Sequence, residues 1–160
     1  MIRTDSDITN DNLKKLIYLE CVILELSRIY SSVPSSINRQ LSERTTLGGV
    51  VLEKNTLCNF NWITMFYNPS TFENPFEFIP ERWEREDYKQ KRHLVEMVFS
   101  AGPRTCIGKN LALIEMKIMT VKFMQRYNLE PGKSVDERGI DLPFTLQIKN
   151  RKTILTRINP

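Results

Sequence analysis

Histidine is nearly absent from this chain, and cysteine is scarce. Among 160 residues there is one histidine, His93, and there are three cysteines, Cys21, Cys58 and Cys106. Because the number of cysteines is odd and no two are closely spaced, neither a disulfide framework nor a C-x-x-C zinc site is supported. A mixed Cys/His zinc cluster would also be short of ligands. The composition therefore indicates free thiols in a reducing compartment.

Long hydrophobic runs are lacking as well. No apolar stretch approaches the ~20 residues that a membrane-spanning helix needs, and the polar start "MIRTDSDITNDN" does not resemble a signal peptide. We therefore expect no membrane anchor within this chain. Basic runs are short and do not alternate with aromatic residues, so the net charge of +4 gives no reason to expect a nucleic acid partner.

What is present is typical of a globular protein, with 41% hydrophobic and 26% charged residues. Apolar residues that recur at three- and four-residue steps predict two helices, at 11–30 and 107–127. Pro34 lies beyond the first helix, and Pro131 with Gly132 ends the second. The apolar face of the first helix is broad, which predicts a mostly buried helix, and apolar residues mark one side of the second.

Shorter patterns predict strands. The segment 47–63 is expected to form a strand pair with its turn at Asn55, because asparagine adopts positive φ at modest cost. The tail at 143–158 is expected to form a second hairpin around a polar turn at 150–152. Between them, prolines and aromatic residues predict an irregular but ordered segment at 68–98. The predicted fold class is α+β, mainly helical with short β-hairpins.

One cysteine lies in an unusual setting, in the stretch "FSAGPRTCIG" that begins at Phe99. Cys106 precedes the second predicted helix, whose N–H groups, together with Arg104, would stabilise a thiolate. Gly102 permits a tight turn, and Gly108, placed one turn into the predicted helix, lets a flat group approach the backbone. Phe99 offers an apolar lid. A thiolate beneath a planar group, such as a haem with an axial cysteine, fits these features.

Three other interpretations of Cys106 stay open on these residues. Free cysteine is often a small buried hydrophobic residue. The thiol could also be a catalytic nucleophile, with His93 as the base. Finally, the glycine-rich turn could bind phosphate, although neither G-x-x-x-x-G-K-[ST] nor G-x-G-x-x-G is present.

The stretch from Phe99 resembles the haem-binding signature F-x-x-G-x-R-x-C-x-G of the cytochrome P450 (haem-thiolate) family. The five fixed positions match at Phe99, Gly102, Arg104, Cys106 and Gly108. The resemblance implies that all five contribute to a haem site, with Cys106 as the axial ligand of the iron. It also implies the C-terminal part of the family's fold, as a single partial domain.

Two further motifs stand upstream in the order that the family has. "ELSR" places Glu25 and Arg28 like the family's E-x-x-R, and "PERW" places Arg82 like the arginine of its P-E-R-F/W segment. The resemblance implies that Glu25, Arg28 and Arg82 form a structural network beside the haem loop. "LGGVVLEKNT" resembles the family's G-x-x-I-P-K-G-T strand turn, but Glu53 and Asn55 depart from it.

The function that the resemblance implies is that of a haem- and iron-binding oxidoreductase. Such a monooxygenase inserts one oxygen atom from O2 into a small apolar organic substrate, with NADPH-derived electrons supplied by a separate reductase. Arg104 is expected to pair with a haem propionate, and Arg39 to be a second propionate partner. The reductase is expected to dock on the thiolate face, near the basic residues Lys89, Lys91, Arg92, Lys109, Lys117 and Lys122.

The resemblance also has a limit. In the family, the helix that activates oxygen lies upstream of E-x-x-R, and this chain begins too late to hold it. We therefore expect a fragment, a truncated gene model or a degenerate copy, and the alternative function is a non-catalytic haem-binding remnant. For the full-length protein the implied location is the cytoplasmic face of the endoplasmic reticulum membrane. Membrane contact is expected only through N-terminal segments that this chain does not contain.

Overall fold

The computed structural model describes residues 8–35 and 38–129, together with short strand segments at 140–141, 147–148 and 155–157. In these residues the chain is mainly helical, with short antiparallel strand pairs. The helices are α1 (Asn10–Lys14), α2 (Ile17–Ile29), α3 (Trp62–Phe66), α4 (Glu86–Lys89), α5 (Arg92–Glu96) and α6 (Lys109–Arg126). Short 3₁₀ helices occupy Pro80–Glu84, Met97–Phe99 and Gly102–Arg104.

The first predicted helix is divided in two. The Thr9 side chain caps α1 by accepting a hydrogen bond from the Asn12 N–H at 3.3 Å. Leu16 then leaves the helical region, with φ −84° and ψ 63°, and α2 begins at the next residue. The break lets α1 contact α6 while α2 packs against α3, α5, α6 and the 3₁₀ helix Pro80–Glu84. The apolar periodicity runs through the break, so it did not reveal the change of direction.

The long helix α6 begins later than predicted. Its first residue is Lys109, and Gly108 precedes it with φ −84° and ψ 1°. The expectation that Gly108 lies one turn inside the helix is therefore wrong. Gly108 instead lies at the junction between α6 and residues 99–108, which we call the cysteine loop.

The strands are short and pair in twos. They are β1 (Arg39–Gln40), β2 (Thr45–Leu47), β3 (Val50–Leu52), β4 (Leu57–Cys58), β5 (Tyr127–Leu129), β6 (Ile140–Asp141), β7 (Gln147–Ile148) and β8 (Leu155–Arg157). The antiparallel pairs are β1 with β4, β2 with β3, β5 with β8, and β6 with β7. Each pair is therefore a separate two-stranded sheet.

The expected hairpin around Asn55 is wrong in its pairing. The tight turn lies instead at Gly48 and Gly49, whose φ values of 55° and 81° suit the two-residue connection between β2 and β3. Asn55 does adopt a positive φ of 70°, but the strand after it pairs with β1. The adjacent glycines were the signal that identifies the true turn.

Most of the expected C-terminal hairpin at 143–158 lies outside the described residues. Of the described strands in this region, β7 pairs with β6. β8 pairs with β5, which directly follows α6. The predicted turn at 150–152 lies outside the described residues. Alternation along one segment cannot distinguish a hairpin partner from a distant one, because both expose the same two faces.

The core is aromatic and lies between α2 and residues 68–88, which we call the proline-rich segment. Phe66 packs edge-to-face on Phe72, with ring centroids 6.2 Å apart, and Trp83 packs edge-to-face on Tyr88 at 5.9 Å. All four rings are buried. Phe72 and Trp83 thus fix the proline-rich segment to the core, whereas Phe76 is 77% exposed. In the part of the chain that the structure describes, no helix is long and apolar enough to cross a membrane.

Candidate functional site

The cysteine loop is closed by backbone hydrogen bonds. The Cys106 N–H donates to the Phe99 carbonyl at 2.8 Å, and the Lys109 N–H donates to the Cys106 carbonyl at 3.2 Å. Inside the loop, the Thr105 N–H donates to the Gly102 carbonyl at 3.0 Å. Gly102 has φ +65°, and a Cβ added there would meet nothing within 4 Å, so its conformation rather than space calls for glycine.

Ser100 is a loop residue that the sequence did not single out. It has φ 65° and ψ 178°, a region that glycine adopts almost exclusively, and such strain clusters at functional sites. The Arg39 guanidinium, half-buried on β1, donates from Nη2 to Ser100 Oγ at 3.1 Å. Arg39 thus reaches the cysteine loop from a strand 61 positions away.

Cys106 opens into a cavity of about 570 Å³. Of the predicted site residues, Phe99, Arg104 and Cys106 line it, alongside Trp62 from α3 and Met116 from α6. Cys106 and Arg104 are exposed, and most of the remaining lining is apolar. The cavity therefore presents a free thiol and a cation at the edge of an apolar space.

The two signature glycines shape the loop without lining this cavity. Gly102 makes the turn before Arg104. At Gly108, a Cβ would lie 3.8 Å from the Cys106 sulfur, which is ordinary van der Waals contact. The approach to the sulfur on that side is therefore open because Gly108 has no side chain.

Two of the alternative interpretations of Cys106 disagree with its surroundings. Because Cys106 is exposed, it is not a buried hydrophobic residue; Cys21 is, and burial raises the pKa of its thiol. His93 Nδ1 lies 2.7 Å from the Gln90 carbonyl, and His93 is not among the residues that line the cavity. The described residues therefore do not form a thiol–imidazole pair.

A second constellation is fully buried. The Glu25 carboxylate accepts hydrogen bonds from Arg28 Nη2 at 2.8 Å and from Arg28 Nε and Arg82 Nε, each at 3.0 Å. Trp83 Nε1 and the Ile79 N–H donate to the same carboxylate, at 2.9 and 3.1 Å. The structure thus brings together the three residues predicted for the network, which are 0% (Glu25), 1% (Arg28) and 3% (Arg82) exposed.

Both guanidiniums also donate hydrogen bonds to backbone carbonyls. Arg28 donates to the carbonyls of Phe66, Pro75 and Glu77 at 2.7–3.1 Å. Arg82 donates to the carbonyls of Glu73 and Asn74, at 2.6 and 3.2 Å. The network therefore holds the proline-rich segment, whose carbonyls lack regular secondary-structure partners.

The charge state of Glu25 follows from these donors. Burial by itself raises the pKa of this carboxyl, but the Arg28 hydrogen bonds, the Ile79 N–H and the charges of Arg28 and Arg82 outweigh it, so the pKa is lowered. The sequence analysis did not identify Trp83 and Tyr88 as members of this network. The Tyr88 hydroxyl accepts a hydrogen bond from Arg82 Nη1 at 3.0 Å. The tryptophan of "PERW" was the available signal for the first of them.

A second chain of charges connects α2, α5 and α6. Glu20 binds Lys117 at 2.7 Å and also binds Arg92, and Glu96 binds Arg92 at 3.0 Å and Lys109 at 2.7 Å. Desolvation raises the pKa of both carboxyls, but these cationic partners outweigh it and lower both. We refer to these five residues as the interhelical ion chain.

The interhelical ion chain includes three of the six basic residues that were expected on the thiolate face. Arg92, Lys109 and Lys117 were expected near the face that an acidic partner binds, and in the structure they pair with Glu20 and Glu96 within the chain. Lys91 donates to the Thr71 carbonyl at 2.7 Å, and Lys89 pairs with Glu86. The pairs of Lys109 with Glu96 and of Lys117 with Glu20 join different helices, so spacing in the sequence does not show them.

The motifs, the loop and the fold agree with what comparison with known proteins shows. The family model described as Cytochrome P450 matches residues 1–155. The chain therefore belongs to the cytochrome P450 family, whose members in general carry haem. Its partial length is also evident, since the chain spans 24–29% of the length of the curated relatives that it resembles.

Two relatives illustrate the similarity. The Putative cytochrome P450 CYP13A3 of Caenorhabditis elegans is 38% identical over 127 residues, which cover 79% of this chain and 24% of that protein. The Cytochrome P450 4V2 of Homo sapiens is 34% identical over 148 residues, covering 92% of this chain and 28% of that protein.

Solved structures show the same relationship in three dimensions. The crystal structure of a cytochrome P450 (CYP102L1) superposes with a TM-score of 0.83 at 28% identity, covering 96% of this chain and 34% of that one. A zebra fish cytochrome P450 solved with progesterone gives 0.82 at 26% identity, covering 97% and 35%. The fold is therefore a portion of the cytochrome P450 fold.

Proposed function

We propose that this chain is the cysteine-bearing, C-terminal part of a haem- and iron-binding monooxygenase, with the Cys106 thiolate as axial ligand of the iron. The observation that carries the proposal is the exposed Cys106, which opens from a closed loop into an apolar cavity of about 570 Å³. A soft sulfur donor beside an apolar, roomy space fits a planar haem.

When bound, the haem would supply the activation of O2 for insertion of one oxygen atom into a small apolar organic substrate. The chain's own residues would bind and orient it. Arg104, exposed at the same cavity, suits a propionate because a guanidinium matches a carboxylate. Phe99 would shield the sulfur from water, and Gly108 would leave space beside it.

Two other groups would hold this arrangement in place. Arg39 would contribute as a second propionate partner, and it already reaches the loop through Ser100. The buried network of Glu25, Arg28 and Arg82 would act as a structural lock, since it fixes α2 to the proline-rich segment. Both roles are positional rather than chemical.

For the whole protein, we propose that NADPH-derived electrons arrive through a separate reductase on the thiolate face. Of the six basic residues expected there, Lys122 is exposed and forms no ion pair among the described residues. Docking by charge would therefore rest on fewer side chains than the sequence indicates. The proposed location is the cytoplasmic face of the endoplasmic reticulum membrane.

A second candidate function is a non-catalytic haem-binding module. It concerns the 160-residue chain taken by itself, which spans 24–29% of the length of these relatives. The two candidates share the Cys106 site and differ in turnover. For this chain by itself we expect weak haem retention and no hydroxylation; hydroxylation of a substrate by the chain alone would refute that expectation.

The ligand assignment is tested by titrating haem into the full 160-residue chain and recording the absorbance of the reduced, carbon monoxide complex. We expect the red-shifted Soret band of thiolate ligation. Cys106→Ala should abolish the band, whereas Cys58→Ala, which removes a half-buried thiol on β4, should retain it. A thiolate band that survives Cys106→Ala would overturn the assignment.

A further inference from the structure

An ion pair brackets the cysteine loop from outside. Inside, the Cys106 N–H bonds to the Phe99 carbonyl and closes the loop. Outside, Glu96 lies three residues before Phe99, and Lys109 lies three residues after Cys106. Lys109 Nζ and Glu96 Oε2 are 2.7 Å apart, so the elements that enter and leave the loop are joined directly.

Lys109 also contacts Cys106 through the backbone. Its N–H donates to the Cys106 carbonyl at 3.2 Å, at the start of α6. One residue thus holds the cysteine's carbonyl with its backbone and the preceding helix α5 with its side chain. The Lys109 and Glu96 side chains are 24% and 32% exposed, so solvent screens this pair less than a surface pair.

The two ends of the interhelical ion chain have the same composition: each is a lysine of α6 paired with a glutamate. At one end Lys109 binds Glu96, and at the other Lys117 binds Glu20; each carboxylate shares Arg92 as its second partner. Lys117 lies eight residues further along α6, about 12 Å from Lys109 along the helix axis. The two lysines therefore have equivalent partners but unequal distances from Cys106.

We propose that Lys109 is a positioning residue for Cys106, which holds the cysteine loop in its closed geometry through the ion pair with Glu96. The closed loop is a property of the polypeptide itself; its significance for the haem ligand rests on the proposed function. Without the pair, the first turn of α6 and the end of α5 separate more readily, and the Phe99–Cys106 hydrogen bond opens more often.

The test measures hydrogen exchange of the Cys106 amide in the full chain without haem, as a ratio to exchange of amides in α2, which report general opening. In Lys109→Met we expect the ratio to rise about two- to fivefold, as the loss of a pair of this strength allows. Lys109→Arg should restore the ratio because it preserves the charge. Lys117→Met, the matched control, should leave the ratio at the Cys106 amide unchanged.

Two results would overturn the proposal. One is an unchanged ratio in Lys109→Met; the other is an equal rise in Lys117→Met, which would show a general effect of the ion chain. Glu96→Gln tests the same pair from its other side and should raise the ratio at least as much as Lys109→Met, because it also weakens the pair with Arg92. Because no haem is present, a failed Cys106 ligand assignment leaves this measurement valid, and the two proposals can fail separately.

Discussion

Glu25 and Arg82 are 57 positions apart in the sequence and meet in a fully buried ion pair, with Arg82 Nε 3.0 Å from Glu25 Oε1. Arg28 binds the same carboxylate from one helical turn away. Two cations and one anion therefore share an interior site. Such a site is stable because each guanidinium also binds backbone carbonyls, so few donors are left without partners.

Arg82→Ala should destabilise the chain strongly. The substitution leaves Glu25 with one cation and frees the carbonyls of Glu73 and Asn74. Removing one partner of a buried pair costs roughly 3–5 kcal/mol in the free energy of unfolding. Urea unfolding followed by circular dichroism measures this loss.

Arg85→Ala is the matched control for that change. Arg85 is three residues away and also forms two ion pairs, with Glu73 and Asp87, but its side chain is 54% exposed. We expect little change in the free energy of unfolding, because water replaces the lost contacts. Equal losses in the two variants would contradict a buried network.

Acid should destabilise the chain through its paired carboxyls. The pKa values of Glu20, Glu25 and Glu96 are lowered in the folded state from an ordinary value of 4.5. Their contribution to stability is therefore present above pH ~4.5 and is lost as the pH falls through the folded-state values. Urea unfolding between about pH 7 and pH 3 measures this decline.

The Glu25→Gln variant isolates one part of the acid effect. It cannot release a proton, so its stability should depend less steeply on pH below ~4.5 than that of the wild type. Glu20 and Glu96 keep their own dependence in this variant, so the slope is reduced and not abolished. An identical slope in the two proteins would exclude Glu25 from the titration.

Gly102→Ala should reduce stability because of backbone conformation alone. Its φ of +65° disfavours a side chain, although nothing lies within 4 Å of the added Cβ. The left-handed region costs a residue with a Cβ about 1 kcal/mol. Thermal unfolding measures the loss, and Gly108→Ala, at φ −84°, is the control that should lose less.

Arg104→Gln should weaken haem retention without weakening the fold. Arg104 is exposed at the Cys106 cavity and is not among the buried residues that the structure describes. Arg126→Gln removes the same charge at the far end of α6, an 18-residue helix about 27 Å long. Haem titration should separate the two variants; equal retention would remove Arg104 from the site.

Some features of the fold and of the site could be predicted from the sequence because they depend on neighbouring residues. The spacing of Glu25 and Arg28 puts both on one side of a helix, and the stretch from Phe99 to Gly108 carries its turn residues in order. The pairing of β2 with β3 was equally local, through Gly48 and Gly49, but the alternation around Asn55 drew the prediction to another turn.

Other features depend on contacts between distant residues. β8 pairs with β5, the strand that directly follows α6, and β7 pairs with β6; alternation along the strands encodes neither partner. The commitment of Lys109 and Lys117 to acidic partners depends on how α2, α5 and α6 pack. The sequence does not show whether a lysine on one helix will meet a carboxylate on another, because that depends on how the helices pack.

The sequence by itself determined the family motifs, the single thiol within the glycine turn and the mainly helical class, because each depends on neighbouring residues or short spacings. Only the tertiary structure decided that Cys106 opens into an apolar cavity, that Glu25 accepts hydrogen bonds from the distant residues Arg82 and Trp83, and that an ion pair brackets the cysteine loop. The physical reason is that burial and pairing of charges arise from packing between elements far apart in the chain.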